Sequence, residues 1–377
     1  MGFNQSAKAI IHHFTEPFQF ETPYMGEPEF IPELFMAYES WGDPDNPAIL
    51  VCHALTGNTH ATDPDAPDDW RRSWWPAMVG PGKAIDTNQF YVLCINILGG
   101  CGGTSGPATV HPETKTRYGL HFPIVEMEDI VCSQKKLLDA LGVKRLYAVI
   151  GGSLGGFQAL VWGRMYPDFV DRLIVIASSA YSNQFMILTN RVQIDAIQMD
   201  PLYQEGNYLE DNPPDVGLRL ARMVGFTTFI SPITMEKKFS KYHASQREPY
   251  ADASFHQQMF HDAENYIRKV SAPFTTDFDA NSMVYLLQTW NHFDLAIKYG
   301  SLAKALEPVL AKTLIIAATG DNLFPPYLSE DILKALEATG KKASLTIVDE
   351  NYGHDFFLKP NIILEKLTDP IVRFLEK

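Results

Sequence analysis

A glycine-rich segment near the middle of the chain contains a serine in a setting typical of a catalytic nucleophile. Residues 151–156 read Gly-Gly-Ser-Leu-Gly-Gly, after an apolar, β-branched run at 146–150 and before a helix-compatible run at 157–162. The pattern G-x-S-x-G between a strand and a helix allows a sharp backbone turn, which exposes the serine hydroxyl at the positive end of the helix. Ser153 is therefore the candidate nucleophile.

A serine hydroxyl reacts slowly at neutral pH unless a base accepts its proton and an acid orients that base. In folds that use this serine turn, the acid and then the histidine follow later strands. Asp321 comes after the apolar run 313–317, and His354 comes after the run 344–348. Each alone has a structural explanation, as a turn residue or an ordinary histidine, but together they predict the triad Ser153, Asp321 and His354.

Acyl transfer also needs hydrogen-bond donors for the oxygen that becomes negative in the transition state. One expected donor is the backbone N–H of Leu154, directly after the nucleophile, and the other lies in the loop after an early strand. By position, that second donor is the N–H of Leu55. His53, in the same loop, is interpreted as a loop residue rather than as the base. No H-E-x-x-H or comparable spacing indicates a catalytic metal.

The elements that must position these residues alternate between strands and helices. Between the second and third apolar runs, apolar residues recur at helical spacing and end at Gly142. This alternation predicts a doubly wound, mostly parallel sheet. The pattern breaks between 181 and 300, which we interpret as a helical cap inserted in a core of residues 1–180 and 301–377. The predicted strands are 49–52, 90–95, 146–150, 173–177, 313–317 and 344–348.

Composition limits the classes of partner. The chain has 377 residues, 46% of them hydrophobic, and a formal net charge of −14. Nucleic-acid binding relies on clustered Lys and Arg, so this charge argues against it. The sequence has no run of about 18 uncharged apolar residues, the minimum for a membrane span, and no signal-peptide pattern. We expect a cytoplasmic protein that acts on small molecules.

Taken together, these motifs resemble the homoserine O-acetyltransferase family, with its homoserine and serine O-succinyltransferase relatives, in the α/β-hydrolase superfamily. The resemblance covers most of the chain. Its segments are CHALTG (52–57), GPGKAIDT (80–87), LGGC (98–101), FP (122–123), IGGSLGG (150–156), ARM (221–223), FDANS (278–282), LFPP (323–326) and YGHD (352–355).

The resemblance implies an α/β-hydrolase fold and a ping-pong transfer of an acyl group from acyl-CoA, through the serine, to the hydroxyl of homoserine. It implies that Arg222 binds the carboxylate of the acceptor and Asp355 its amine, roles that suit a guanidinium fork and a carboxylate. It also implies a cap that forms a tunnel and a homodimer contact. No cofactor is expected beyond acetyl-CoA as substrate, and acetyl is favoured over succinyl because no extra cationic residue stands ready for a second carboxylate.

Two departures from the family pattern lie in the predicted cap. Phe226 and Phe229 stand where the family commonly has histidine and tyrosine, and the segment 236–250 diverges from the usual glycine-arginine pattern. Loss of one hydrogen bond in a buried site weakens acceptor binding by about 1 to 3 kcal/mol. The sequence therefore leaves open a short-chain acetylester hydrolase with water as the acceptor. A third alternative is a non-catalytic hydrolase fold that binds a ligand or partner.

Overall fold

The apolar runs of the sequence form buried strands of a central sheet. The structure, a computed structural model, describes residues 8–21, 27–66, 73–239 and 262–376. The strands in these ranges are β1 (Ile10–Phe14), β2 (Phe18–Gln19), β3 (Phe30–Ile31), β4 (Leu34–Trp41), β5 (Ala48–Cys52), β6 (Val79–Gly80), β7 (Ile85–Asp86), β8 (Tyr91–Ile95), β9 (Leu146–Gly152), β10 (Arg172–Ile176), β11 (Lys312–Ala318) and β12 (Ala343–Val348).

Eight strands of the described ranges form one sheet in the order β1-β4-β8-β5-β9-β10-β11-β12. The six strands from β8 to β12 in this order are parallel to their neighbours and correspond to the six predicted runs. β4 and β1 pair antiparallel at the β8 edge, which the sequence did not predict. β1 is an edge strand with largely exposed side chains, so it lacks the continuous apolar run of a buried strand.

The sheet is buried on both faces, as a doubly wound arrangement requires. In β5, Leu50 belongs to one apolar cluster, whereas its neighbours Ile49 and Val51 belong to the cluster on the opposite face. The described helices are α1 (Met127–Ala140), α2 (Leu154–Met165), α3 (Gln184–Gln198), α4 (Asp215–Phe229), α5 (Pro232–Lys238), α6 (Asp262–Ser271), α7 (Phe274–Asp277), α8 (Ala280–His292), α9 (Leu295–Tyr299), α10 (Leu302–Leu306), α11 (Pro326–Ala338), α12 (Pro360–Ile362) and α13 (Thr368–Glu376).

The chain between β10 and β11 supplies the helices from α3 to α10. α3 packs against both α4 and α8, and α4 also contacts α6, α7 and the short 3-10 turn at His354–Leu358. This helical layer therefore reaches the loop that follows β12. Most of the divergent segment 236–250 lies outside the described residues. None of the helices within the described ranges is long and apolar enough to cross a bilayer.

Candidate active site

Ser153 occupies a strained turn between β9 and α2. Its backbone has φ 58° and ψ −126°, a left-handed conformation that side chains other than glycine rarely adopt. A Cβ at Gly151 would overlap the backbone of Gly155, and a Cβ at Gly155 would overlap the carbonyl of Cys52. The Ser153 N–H donates to the carbonyl of Ile176 in β10 at 2.9 Å. The glycines thus permit the turn, and the neighbouring strand holds it.

Asp321 and His354 form a buried hydrogen-bonded pair. The two residues follow β11 and β12 and are 2% and 3% exposed. His354 Nδ1 lies 2.9 Å from Asp321 Oδ2 and, facing a carboxylate, donates to it. Asp321 Oδ1 accepts the backbone N–H groups of Leu323 at 3.0 Å and Phe324 at 2.8 Å, which orient the carboxylate. With Nδ1 committed in this way, His354 Nε2 is the nitrogen that can act as a base.

The surroundings of His354 raise the pKa of its imidazole. Burial lowers the pKa of His354, but the attraction and hydrogen bond of Asp321 raise it more, with a smaller contribution from Asp355, so the pKa lies above its ordinary value of 6.5. The ring of Phe324 stacks on the imidazole with centroids 5.0 Å apart. An imidazolium at this position would therefore be stabilised by a fixed carboxylate in a buried, aromatic setting.

The serine turn and the histidine turn are neighbours. A Cβ at Gly152 would overlap the ring of Phe357, whose centroid lies 5.7 Å from that of His354. Ser153 is itself 3% exposed. Ser153 and His354 both lie within the described ranges, and the Ser153 hydroxyl is not hydrogen-bonded to the His354 imidazole. Such contacts are often loose in free enzymes and tighten when substrate binds.

The loop after β5 lies against the first turn of α2, where the two predicted oxyanion donors occur. The side-chain amide of Gln158 donates to the carbonyl of His53 at 3.2 Å. Leu154 is the first residue of α2, where N–H groups have no partner within the helix. Within the described ranges, no backbone acceptor takes the N–H of Leu55 or of Leu154. The two amides are thus available to a ligand.

His53 has a structural role in this loop. Its Nε2 lies 3.0 Å from Asn96 Oδ1, and its Nδ1 lies 2.8 Å from the carbonyl of Ala54. Burial lowers the pKa of the His53 ring. Both ring nitrogens are occupied by neighbours, which supports the interpretation of His53 as a loop residue.

Arg222 and Asp355 come from the helical layer and from the histidine turn. Arg222, on α4, donates from Nη1 to Thr56 Oγ1 at 3.2 Å, and its guanidinium lies over the rings of Phe274 at 4.8 Å and Phe229 at 5.2 Å. Burial lowers the pKa of Arg222, and the nearby Asp355 carboxylate opposes that shift. Burial raises the pKa of Asp355, against the attraction of Lys359, His354 and, to a smaller extent, Arg222. The Arg222 guanidinium and the Asp355 carboxylate therefore interact electrostatically across the site.

Arg222 opens onto a pocket beside the loop that contains Leu55. The pocket has a volume of about 170 Å³, and its lining residues are Thr56, Arg222, Val270, Pro273, Phe274, Asp277 and Phe278. Sequence reasoning did not single out Thr56 or Phe274. No local pattern indicates them, because their contacts with Arg222 exist only after the helices pack over the sheet.

The two departures from the family pattern occupy different surroundings. Phe229 lies between the cation and the base, with its ring 5.2 Å from the guanidinium of Arg222 and 6.4 Å from the ring of His354. Phe226 contacts the ring of Phe229 at a centroid distance of 5.9 Å and packs on Tyr266 of α6 at 5.7 Å. Phe229 therefore lines the reaction centre, while Phe226 lies one layer farther out.

A mostly parallel sheet, a serine turn after a central strand, and an Asp–His pair after two later strands define an α/β hydrolase. A family model described as the alpha/beta hydrolase fold matches residues 47–360, most of the chain.

Curated relatives narrow this class. The homoserine O-acetyltransferase of Deferribacter desulfuricans is 38% identical over 367 residues, which cover 97% of this chain and 94% of the relative. That of Methanosalsum zhilinae is 43% identical over 331 residues, 87% of this chain, and this chain covers 66% of its length. The chain belongs to the homoserine O-acetyltransferase family.

Solved structures with the same fold include both a transferase and an esterase. The homoserine O-acetyltransferase of Bacillus anthracis superposes with a TM-score of 0.84 at 26% identity, covering 99% of each chain. Esterase E22 superposes with a TM-score of 0.82 at 27% identity, covering 97% of this chain and all of the other.

Proposed function

We propose that this protein transfers an acetyl group from acetyl-CoA to the hydroxyl of homoserine through an acetyl-Ser153 intermediate. The observation that carries the proposal is the buried Asp321–His354 pair beside the strained serine turn, in a chain of this family. Acetyl-CoA acts as a substrate, and the proposal requires no further cofactor. Because acetyl-CoA is an intracellular metabolite, the proposal also implies a cytoplasmic location.

In the first half-reaction, His354 Nε2 accepts the proton of Ser153 as its Oγ attacks the thioester carbonyl. The N–H groups of Leu55 and Leu154 donate to the resulting oxyanion, and loss of one such donor typically costs about 100- to 1000-fold in rate. The tetrahedral adduct then collapses, the C–S bond breaks, and the imidazolium returns its proton to the departing CoA sulfur. The products are acetyl-Ser153 and free CoA.

In the second half-reaction, the acceptor enters next to the acetyl group. Arg222 binds the carboxylate of homoserine, and Asp355 binds its ammonium group. His354 removes the proton of the homoserine hydroxyl as that oxygen attacks the acetyl carbonyl. The ester bond to Ser153 breaks, and the proton returns to Ser153 Oγ. The same base thus serves both halves of the cycle.

Acetylester hydrolysis is the second candidate. Phe229 presents an apolar ring between the guanidinium of Arg222 and the base, without a hydroxyl to hold an amino-acid acceptor. The likeness to esterase E22 supports the same alternative. Water discharges an acyl-enzyme whenever the acceptor is not held tightly enough to exclude it.

One comparison separates these candidates. The protein is incubated with acetyl-CoA, with and without homoserine, and separately with p-nitrophenyl acetate. Formation of O-acetylhomoserine supports the transferase, and ester cleavage that homoserine neither accelerates nor intercepts supports the hydrolase. Absence of both activities supports a non-catalytic protein and contradicts the proposal.

We further propose that the chain forms a homodimer through the helical layer. The side chains of Phe185, Leu188 and Val192 on α3 are exposed at a spacing of three and four residues, which places them on one face. Leu220 on the adjacent α4 is also exposed. Exposed apolar side chains grouped on one helix face are typical of an interface. Sedimentation analysis should show a dimer, and Leu188→Asp should produce monomers; a monomeric wild-type protein would contradict the proposal.

A further inference from the structure

A buried carboxylate outside the triad is bonded to the segment that continues the loop after β5. Glu39, in β4, is 5% exposed. Its Oε1 accepts a hydrogen bond from Thr59 Oγ1 at 2.7 Å, and its Oε2 accepts one from His60 Nδ1 at 2.7 Å. A charge is costly to bury unless it is hydrogen-bonded or paired. Both oxygens of this carboxylate are committed to two consecutive residues, so Glu39 fixes that point of the chain.

The neighbours of Glu39 extend this anchor. His60 Nε2 lies 3.8 Å from Asp63 Oδ2, and Lys8 Nζ lies 2.7 Å from Asp63 Oδ1. The carbonyl of Asn58 accepts the indole N–H of Trp74 at 3.0 Å. The chain from 58 to 63 is therefore held by side chains from several parts of the molecule.

The anchored segment forms one end of the loop that contains the proposed oxyanion donor. At the other end, the loop leaves β5 and is fixed by the contacts of His53 with Asn96 and Gln158. Leu55 and Thr56 lie between these two anchors. Thr56 Oγ1 accepts the hydrogen bond from Arg222, so the loop also contacts the proposed acceptor site. A shift of the anchor at 59–60 would move both functional positions.

We propose that Glu39 is a positioning residue for acyl transfer. By holding Thr59 and His60, it keeps the Leu55 N–H aligned with the oxyanion and Thr56 against Arg222. This inference rests on the proposed function, because it takes Leu55 as an oxyanion donor. Hydrogen bonds to a charged group are stronger than neutral ones. A misplacement of about 1 Å in a reaction centre can cost about 100-fold in rate.

The test is the acylation burst with p-nitrophenyl acetate, which needs no acceptor. Glu39→Ala removes both anchoring bonds. We expect its acylation rate constant to fall about 30- to 100-fold, while the ester concentration that half-saturates the burst rate, which reports ester binding, changes by less than about 2-fold because the ester itself does not contact Glu39. In Glu39→Gln the amide can accept from Thr59 Oγ1 through its oxygen and donate to His60 Nδ1 through its nitrogen, so most of the rate should return.

Asp129 provides a matched control. It is fully buried, and its carboxylate accepts the N–H groups of Glu21 at 2.6 Å and Glu126 at 2.8 Å at the start of α1, away from the loop. Asp129→Ala should lower the thermal unfolding midpoint and leave the acylation rate constant within about 2-fold of wild type.

Two results would overturn the inference: normal acylation in Glu39→Ala, or an equal loss in Asp129→Ala. If Glu39→Ala does not fold, Thr59→Val, which removes one anchoring bond at constant shape, must still slow acylation several-fold. Normal acylation in that variant would also reject the inference. If the wild-type protein shows no burst at all, the proposed function fails instead, so the two failures are distinguishable.

Discussion

The Asp321–His354 pair and the proposed acceptor residue Arg222 are positioned by different parts of the molecule. Asp321 and His354 follow parallel strands, are almost completely buried and are joined by a 2.9 Å hydrogen bond. Arg222 lies on a helix between β10 and β11, is held by two aromatic rings and Thr56, and lines an open pocket. Under the proposed function, the sheet therefore determines whether an acyl-enzyme can form, whereas the helices determine which acceptor discharges it.

The largest expected effect comes from Ser153, which follows strand β9. Ser153→Ala keeps the Cβ and the strained turn but removes the nucleophile, so turnover of acetyl-CoA and of p-nitrophenyl acetate should fall at least ~1000-fold. Steady-state assays of both donors measure the loss. The circular dichroism spectrum and the unfolding midpoint should match those of wild type. Near-normal turnover in a folded Ser153→Ala protein would show that acylation occurs elsewhere.

Arg222, on helix α4, should affect the reaction with homoserine much more than ester hydrolysis. Arg222→Ala should lower kcat/KM for homoserine about 10- to 100-fold, because a charge-assisted hydrogen bond to the acceptor carboxylate is lost. Hydrolysis of p-nitrophenyl acetate, which has no carboxylate, should change by less than about 3-fold. Arg219→Ala removes an exposed arginine of the same helix and is the control. Equal losses on both substrates would mean that Arg222 does not bind the acceptor.

A smaller effect should come from the ring between the two sites. Phe229→Tyr adds a hydroxyl between Arg222 and His354, and one new hydrogen bond to the acceptor should raise the ratio of transfer to hydrolysis by about 2- to 10-fold. Product analysis at a fixed homoserine concentration gives this ratio. Phe226→Tyr adds the same hydroxyl beside Tyr266, outside the reaction centre, and should leave the ratio unchanged. The same response from both variants would contradict a specific role for position 229.

The smallest effect concerns the pH dependence of acylation. The base must be neutral, so the rate should fall as the pH drops through the pKa of His354, which lies above 6.5 because the attraction of Asp321 outweighs burial. Asp355 also raises the pKa of His354, and Asp355→Asn should therefore move the acidic limb to lower pH. Asp369→Asn, an exposed carboxylate on α13, should leave the limb in place. A limb that moves to higher pH in Asp355→Asn would reject this electrostatic account.

The sequence predicted the residues that follow the strands better than those on the helices between β10 and β11, for a physical reason. A buried parallel strand followed by a glycine turn can be identified from residues adjacent in the sequence. The run before Ser153 and the positions of Asp321 and His354 relative to β11 and β12 could therefore be predicted. The strands β1 and β4 lack such a run or lie at the antiparallel edge, and they were missed.

Long-range contacts had no local signal. Arg222 was identified through the family resemblance, and its contact with Thr56 joins residues 166 positions apart. The bond between Glu39 and His60 spans 21 residues and depends on how β4 packs beside the loop. Such contacts follow from tertiary packing, so neither residue spacing nor periodicity could predict them.

Identification of the acylated residue tests the proposed acetyl-Ser153 intermediate most directly. The protein is mixed with acetyl-CoA without acceptor, quenched in acid and digested with trypsin, and the peptide 146–164, whose only serine or threonine is Ser153, is examined by mass spectrometry. We expect this peptide to gain one acetyl group and to lose it after homoserine is added, with O-acetylhomoserine as the product. Transfer to homoserine without any acetylation of this peptide would contradict an acetyl-Ser153 intermediate.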